Sequence, residues 1–286
     1  MSVYQENIHK LFAKTSRQLT KAAAKAQPGA IHRMRTSIRR LEAILEELSP
    51  DLDRNQRKLL KVLSRLRRRA GRVRDIDVHV AALRSLKLSD EPGRKTQMLS
   101  KFADLRIARE RKLVKLFDEV SIRELRKRLK RAEQSLQVPD DFPGPLETAY
   151  DSFVRLAKKN ETLSEKGLHQ YRIQGKRARY VAELAGDEAQ ARAFVTRLKT
   201  MQDVLGEWHD WLTLAQAVAK LTNSANNSPL LSALNNIARA KFHEAVRVVA
   251  ETKRAILASD PQKKLNTSVS PRRDPVPYRA IATAAA

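Results

Sequence analysis

Residues 31–48, "IHRMRTSIRRLEAILEEL", return at 168–184 as "LHQYRIQGKRARYVAEL". His32 aligns with His169, Arg35 with Arg172, Arg39 with Lys176 and Arg40 with Arg177, all at one offset. A second pair follows in the same order, "RRRAGRVRDIDV" (67–78) and "QDVLGEWHDWLTL" (202–214), which aligns Gly71 with Gly206 and Asp75 with Asp210 at nearly that offset. Internal repetition at this scale restricts the fold more than any other feature, because repeated units bury their apolar faces against each other. The chain is therefore expected to consist of two similar halves of about four helices each.

The periodicity supports helices throughout. Apolar residues recur at helical spacing, period-2 runs are scarce, and the 286 residues include only 8 Gly and 11 Pro. Helices are predicted at 3–26, 28–48, 52–87, 93–119, 121–136, 145–161, 164–185, 187–220 and 229–257. Asp51 is the expected N-cap of the third and Pro28 a first-turn residue of the second, while "SDEPG" and "NSANNSP" read as breaks. The expected organisation is one all-α domain over 1–257, with a first half at 1–137, a Pro-rich linker at 138–145 and a second half at 145–257. Residues 258–286, rich in Pro, Ser, Ala and charge, are expected to be a disordered tail.

The repeated helix carries an unusual row. At 100° per residue, His32, Arg35 and Arg39 form one stripe, and His169, Arg172, Lys176 and Arg179 form another. Met34, Ile38, Leu41, Leu45 and Leu48 form an apolar stripe roughly 110° away. The cations thus flank the buried face, at positions that line a groove between helices. Like charges at this spacing repel, and with an anion between them they give charge-assisted hydrogen bonds suited to phosphate. Net charge points the same way: 57 Lys and Arg against 32 Asp and Glu leave +25, which implies a polyanionic partner. The plainer alternative is that these arginines pair with carboxylates of neighbouring helices. Both halves keep the basic positions while their other surface residues differ, and this favours a binding surface. A histidine in such a row is expected to pack or to support its neighbours, not to transfer protons.

At these residues the chain resembles the CHAD family, the conserved histidine α-helical domain. The first motif, His-x-x-Arg-x-x-x-Arg-Arg, is His32, Arg35, Arg39 and Arg40. The second, His-x-x-Arg-x-x-x-Lys-Arg-x-Arg-Tyr, is His169, Arg172, Lys176, Arg177, Arg179 and Tyr180. Gly71, Arg74, Asp75 and Asp77 fit a Gly-x-x-Arg-Asp-x-Asp segment, and "LKTMQDVLGEWHD" fits its counterpart. The resemblance covers roughly residues 3–257. It implies two pseudo-symmetric four-helix halves with a basic groove between them, binding of inorganic polyphosphate, and no catalytic activity or cofactor. Members often carry a CYTH-type triphosphate-tunnel domain, for which this chain has no room, so a stand-alone module at polyphosphate granules is expected.

On this reading the row is a ladder of donors for successive phosphoryl groups. Arg179 and Tyr180 extend it in the second half, whereas Glu42 stands at the Arg179 position in the first. Arg69, Arg72, Arg74 and Lys199, beside the Gly-Asp segments, are second contributors, with Asp75 and Asp210 orienting nearby arginines.

Two other functions compete. His209-Asp210 resembles part of the metal set of HD-type phosphohydrolases, but the repeat places Arg74 opposite His209, and a cation repels a metal. Nucleic acid is the stronger rival and is expected to bind as a weaker polyanion. Single-strand binders add aromatic platforms, yet aromatics are 5% here, and Trp208 and Trp211 read as core. No run is apolar enough to span a bilayer, no basic helix with exposed bulky apolar residues suggests membrane adhesion, and no secretory signal opens the chain. The absence of Cys fits a reducing compartment, so the expected location is the cytoplasm.

Overall fold

A computed structural model of the protein describes residues 2–48, 51–87, 92–159, 163–222 and 228–259. Among these the chain is helical without strands: α1 (Val3–Ala24), α2 (Pro28–Leu48), α3 (Arg54–Ser85), α4 (Pro92–Glu119), α5 (Ile122–Gln134), α6 (Pro145–Lys159), α7 (Glu165–Ala182), α8 (Ala189–Thr222) and α9 (Pro229–Ala258), with a 3₁₀ turn at Glu183–Ala185. The breaks expected at "SDEPG" and "NSANNSP" fall partly, and the tail from 260 wholly, outside the described residues.

Local chemistry sets the helix ends. Ser2 and Gln5 form a capping box on α1, and Ser121 and Ser164 cap α5 and α7. The cap of α3 differs from expectation: it is Asp53, not Asp51. Asp53 Oδ1 accepts the Gln56 amide at 2.7 Å, and Gln56 Oε1 accepts the Asp53 amide at 3.0 Å. That reciprocal pair needs the spacing of three residues that Asp53 has and Asp51 lacks. Gly186 closes the turn after α7 with φ +75°, which L side chains rarely adopt.

Three apolar clusters hold the helices. One joins α1, α2, α3, the end of α4 and α5, around Phe12, Met34, Leu41 and Leu63. A second joins α6 to α9 around Phe153, Tyr171, Leu198 and Trp208. The third lies between Ile76, Leu83, Met98 and Phe102 of α3 and α4 and Leu214, Val218, Leu230 and Leu234 of α8 and α9. The two parts of the chain therefore share a core and do not hang on a linker alone. Helix α5 packs against α1 and α3.

Two of these packings place the repeated motifs. Helix α2 lies against α7, and α3 lies against α8. The second seam carries a hydrogen-bond contact between His79 and Thr213 at 3.2 Å.

Candidate functional site

The apolar stripe of α2 is fully buried at Met34, Ile38, Leu41 and Leu45. It leaves Arg35 and Arg39 half-buried beside it, on the flank that meets α7. From α7, Arg172 and Lys176 occupy the facing flank, also half-buried. Their mutual influence shows in the electrostatics. Burial depresses the Arg172 guanidinium, and Arg39 is the largest charge acting on it. Burial, then Arg39, pull Arg35 down to about 10, with Arg74 and Arg172 adding to the effect. Lys176 is pushed down to about 7, first by burial and then by Arg172, Arg39 and Arg35. Among the described residues none of these four cations has a carboxylate oxygen within 4.0 Å. The Nε atoms of Arg35 and Arg172 are buried and have no hydrogen-bond partner.

Gly175 explains why α7 can sit so deep. A Cβ there would come within 2.8 Å of Met201 Cε. Gln202 Nε2 of α8 donates to the Gly175 carbonyl at 2.8 Å. Glycine between Arg172 and Lys176 thus lets α8 press against α7 directly behind the cations.

Asp75 and Asp210 stand farther off. Asp75 partly offsets the positive field on Arg35, Arg39 and Arg172, and Asp210 does so on Arg172 and Lys176. They act through charge at a distance, not through hydrogen bonds to these cations.

His32 and His169 are exposed, one beside each pair of cations. Burial, then Arg35, Arg74 and Arg39, lower His32. Burial, then Arg172 and His209, lower His169. His169 stacks on His209 with ring centroids 6.1 Å apart, and Arg74, the residue at the position of His209, stands near His32. Among the described residues no group of three or more His, Asp or Glu is arranged to hold a metal.

The other candidates are placed differently. Arg40 of α2 binds Glu183 at 3.1 Å, and Arg177 of α7 binds Glu46 of α2 at 2.8 Å. The offset that relates Arg40 to Arg177 also relates Glu46 to Glu183, so the two pairs are reciprocal. Arg179 shares Glu183 at 3.1 Å. The Tyr180 ring, 6% exposed, lies under both Arg40 and Arg179, at 5.4 and 5.0 Å from its centroid. For these residues the plainer alternative, arginines paired with neighbouring carboxylates, describes the geometry. Glu42, in the place of the missing rung, is buried and paired with Arg67 at 2.5 Å. Burial raises its carboxyl while Arg67 opposes the rise.

Arg69 and Arg72 do not join the central cluster. They lie on the other flank of α3, against Arg109 and Lys112 of α4. Lys199 is exposed on α8, about three turns before Asp210. The sequence reading missed Glu46, Glu183 and Arg67. Carrying the repeat offset over to acidic residues would have found the first two.

The sequence profile of the CHAD domain family matches residues 6–219. No curated protein matches the chain. Among solved structures, the CHAD domain from the plant Ricinus communis superposes with a TM-score of 0.62 at 18% identity, over 90% of this chain and 91% of that one. PptA from Streptomyces chartreusis superposes with a TM-score of 0.62 at 13% identity, over 90% and 98%. At these identities the likeness concerns the fold.

Proposed function

The chain belongs to the CHAD domain family, and on that premise we propose that the cation cluster between α2 and α7 binds inorganic polyphosphate without turning it over. CHAD domains are associated in general terms with polyphosphate binding. The observation that carries the reading for this chain is the convergence of Arg35, Arg39, Arg172 and Lys176 without a carboxylate in contact. Four partly desolvated cations in one place are unfavourable alone and favourable around an anion. Phosphoryl oxygens offer acceptors to the unpartnered guanidinium atoms, and the binding is charge-assisted. His32 with Arg74 and His169 with His209 continue the site on either side, which suits a linear polymer better than a single phosphate. Arg40, Arg177, Arg179 and Tyr180 frame it by fixing α2 to α7.

Nucleic acid is the rival polyanion. Base stacking would need exposed rings, but Trp208 is 2% exposed and packs on Phe242, Trp211 packs against the third apolar cluster, and Tyr180 is covered. No described helix is long and apolar enough to cross a membrane. The proposed location is the cytoplasm, on polyphosphate granules. A competition of long polyphosphate against RNA and DNA, at matched phosphate concentration and roughly physiological salt, tests the proposal. Retention of polyphosphate with displacement of both nucleic acids is expected. Equal or better retention of RNA would overturn it, and steady release of free phosphate would overturn the absence of turnover.

A further inference from the structure

Helix α3 has two basic flanks, and only one of them faces the central site. Arg67 and Arg74 turn toward α2. Arg72 is about 160° around the helix from Arg74, and Arg69 is equally far from Arg67. Arg65, Arg69 and Arg72 recur at the spacing of one helical face, and α4 sets Arg109, Lys112 and Lys115 opposite them.

Two adjoining hollows lie between these rows and share Arg69 and Lys112. One, of 280 Å³, is lined by Arg65, Arg69, Lys112, Lys115, Leu116 and Glu119. The other, of 160 Å³, is lined by Arg69, Arg72, Arg109 and Lys112 and by nothing else. The nearby carboxylates are already taken. Glu119 is bound by Arg65 at 3.2 Å, and Asp77 and Glu110 are both bound by Arg106 at 2.8 Å. Among the described residues Arg69, Arg72, Arg109 and Lys112 have no ion-pair partner. Arg109 Nη1 donates to the Arg72 carbonyl at 3.0 Å, which holds its head group across the groove.

We propose that this groove between α3 and α4 is a second, separate binding site for a linear oligophosphate. The inference rests on the polyphosphate reading of the central site and adds a place that reading does not use. The groove runs about 10 Å along α3 from Arg65 to Arg72, is walled by guanidinium and ammonium groups, and contains no ring on which a base could stack. A chain long enough to leave the central site can be held here by the same molecule or by the next one. Two sites on one polymer-binding protein raise its hold on a long chain by effective concentration, without any new kind of contact.

The test uses the full chain in three variants. The first removes the groove cations (Arg69→Ala, Arg72→Ala, Arg109→Ala and Lys112→Ala together). The second removes Arg35 and Arg172, and the third removes four exposed cations elsewhere, Arg155, Lys158, Arg192 and Arg239. Calorimetric titration with tripolyphosphate is expected to find two sites on the wild type and one on the groove variant. For a long chain, the slope of log affinity against log salt should fall by about 3 in the groove variant, at roughly 0.7 for each phosphate no longer neutralised. Acetylation of wild-type Lys112 and Lys115, read by mass spectrometry, should be suppressed by tripolyphosphate while that of Lys158 is not, and this readout needs no variant to fold.

A groove variant indistinguishable from the third variant would overturn the groove and leave the central site standing. So would a second variant that binds no long polyphosphate although its groove is intact. RNA protecting Lys112 as well as polyphosphate does, at matched phosphate, would overturn the ligand assignment. A wild type that binds no polyphosphate would overturn both sites together.

Discussion

Arg177 holds Glu46 at 2.8 Å across the contact between α2 and α7. Its repeat counterpart Arg40 holds the counterpart of Glu46, Glu183, at 3.1 Å. A contact in which i meets j and j meets i is what a local twofold between two helices generates. The residues of both exchanged pairs follow Arg35 and Arg39 along α2 and Arg172 and Lys176 along α7, so fixing the helices and, on the proposed reading, holding the ligand fall to different residues of the same motif.

Substituting Arg35, Arg39 or Arg172 by Ala is expected to weaken polyphosphate binding by tenfold or more each, since a hydrogen bond to a charged group is worth about 1.5–3 kcal/mol. Melting temperature should hold or rise, because each change relieves repulsion among the cations. Unfolding of all three variants would mean that the cluster is structural. Filter binding together with thermal melts would read both quantities.

Arg177→Ala and Glu183→Gln should behave in the opposite way. Each strands a partly buried charge, Glu46 in the first case and Arg40 with Arg179 in the second. The expected loss is about 1–3 kcal/mol of stability, less than for a fully buried pair because the side chains are between 17% and 44% exposed. Glu183→Gln also frees two cations beside the site, so its affinity for polyphosphate should not fall. Urea unfolding and binding titrations on the same preparations would separate the two effects.

Lys176 should make polyphosphate binding depend on pH. Its ammonium is depressed from 10.5 to about 7, so the free protein above pH 7 carries it mostly neutral. An anion in the site restores the charge. Polyphosphate should therefore bind with proton uptake at pH 8, and its affinity should fall as pH rises above 7. His32 and His169, held below their ordinary 6.5, add uptake only at lower pH. Calorimetry at pH 8 in buffers of different ionisation enthalpy should show an uptake that Lys176→Arg abolishes.

The same group shapes the stability of the ligand-free protein. Below pH 7 the folded chain bears the full cost of a desolvated ammonium. Between pH 7 and 10.5 the unfolded chain binds more protons than the folded one, so stability rises with pH across that window. Lys176→Met removes the term. It should melt higher than the wild type at pH 6 and show a smaller rise from pH 7 to 9, while binding polyphosphate less well. Melting curves at three pH values decide this.

Chain length is the last variable. A polymer that touches both α2 and α7 gains its second contacts at high effective concentration, which triphosphate can do only in part. Affinity should climb with length and then level off per site, and the salt slope should climb with it. Equal affinity for triphosphate and a long chain would mean a compact pocket.

Much of this arrangement can be read from the residues. Helix α2 begins and ends where Pro28 and the apolar spacing place it, and α6 starts at Pro145 as expected. Capping is finer than periodicity: two aspartates stand in "DLD", and only the one three residues before Gln56 can close the box. The stripe through His32, Arg35 and Arg39 follows from 100° per residue. What the stripe does not say is which cations meet a carboxylate, because Glu46 and Glu183 approach only when α2 and α7 pack. The same angular arithmetic, applied to α3, sets Arg69 and Arg72 apart from Arg74, although the three read as one group along the sequence.

The central cluster also has a consequence in time. Its cations are delivered by helices far apart in the chain, and α8, which presses on Gly175, is made later still. Contacts between such distant segments form late, since closing a long loop costs entropy before anything repays it. A chain still emerging from the ribosome displays its first basic helix with the second missing. On the proposed reading, a polymer nearby would meet this central site half-built on unfinished molecules and whole on finished ones, so full capture there would wait until α7 and α8 have packed.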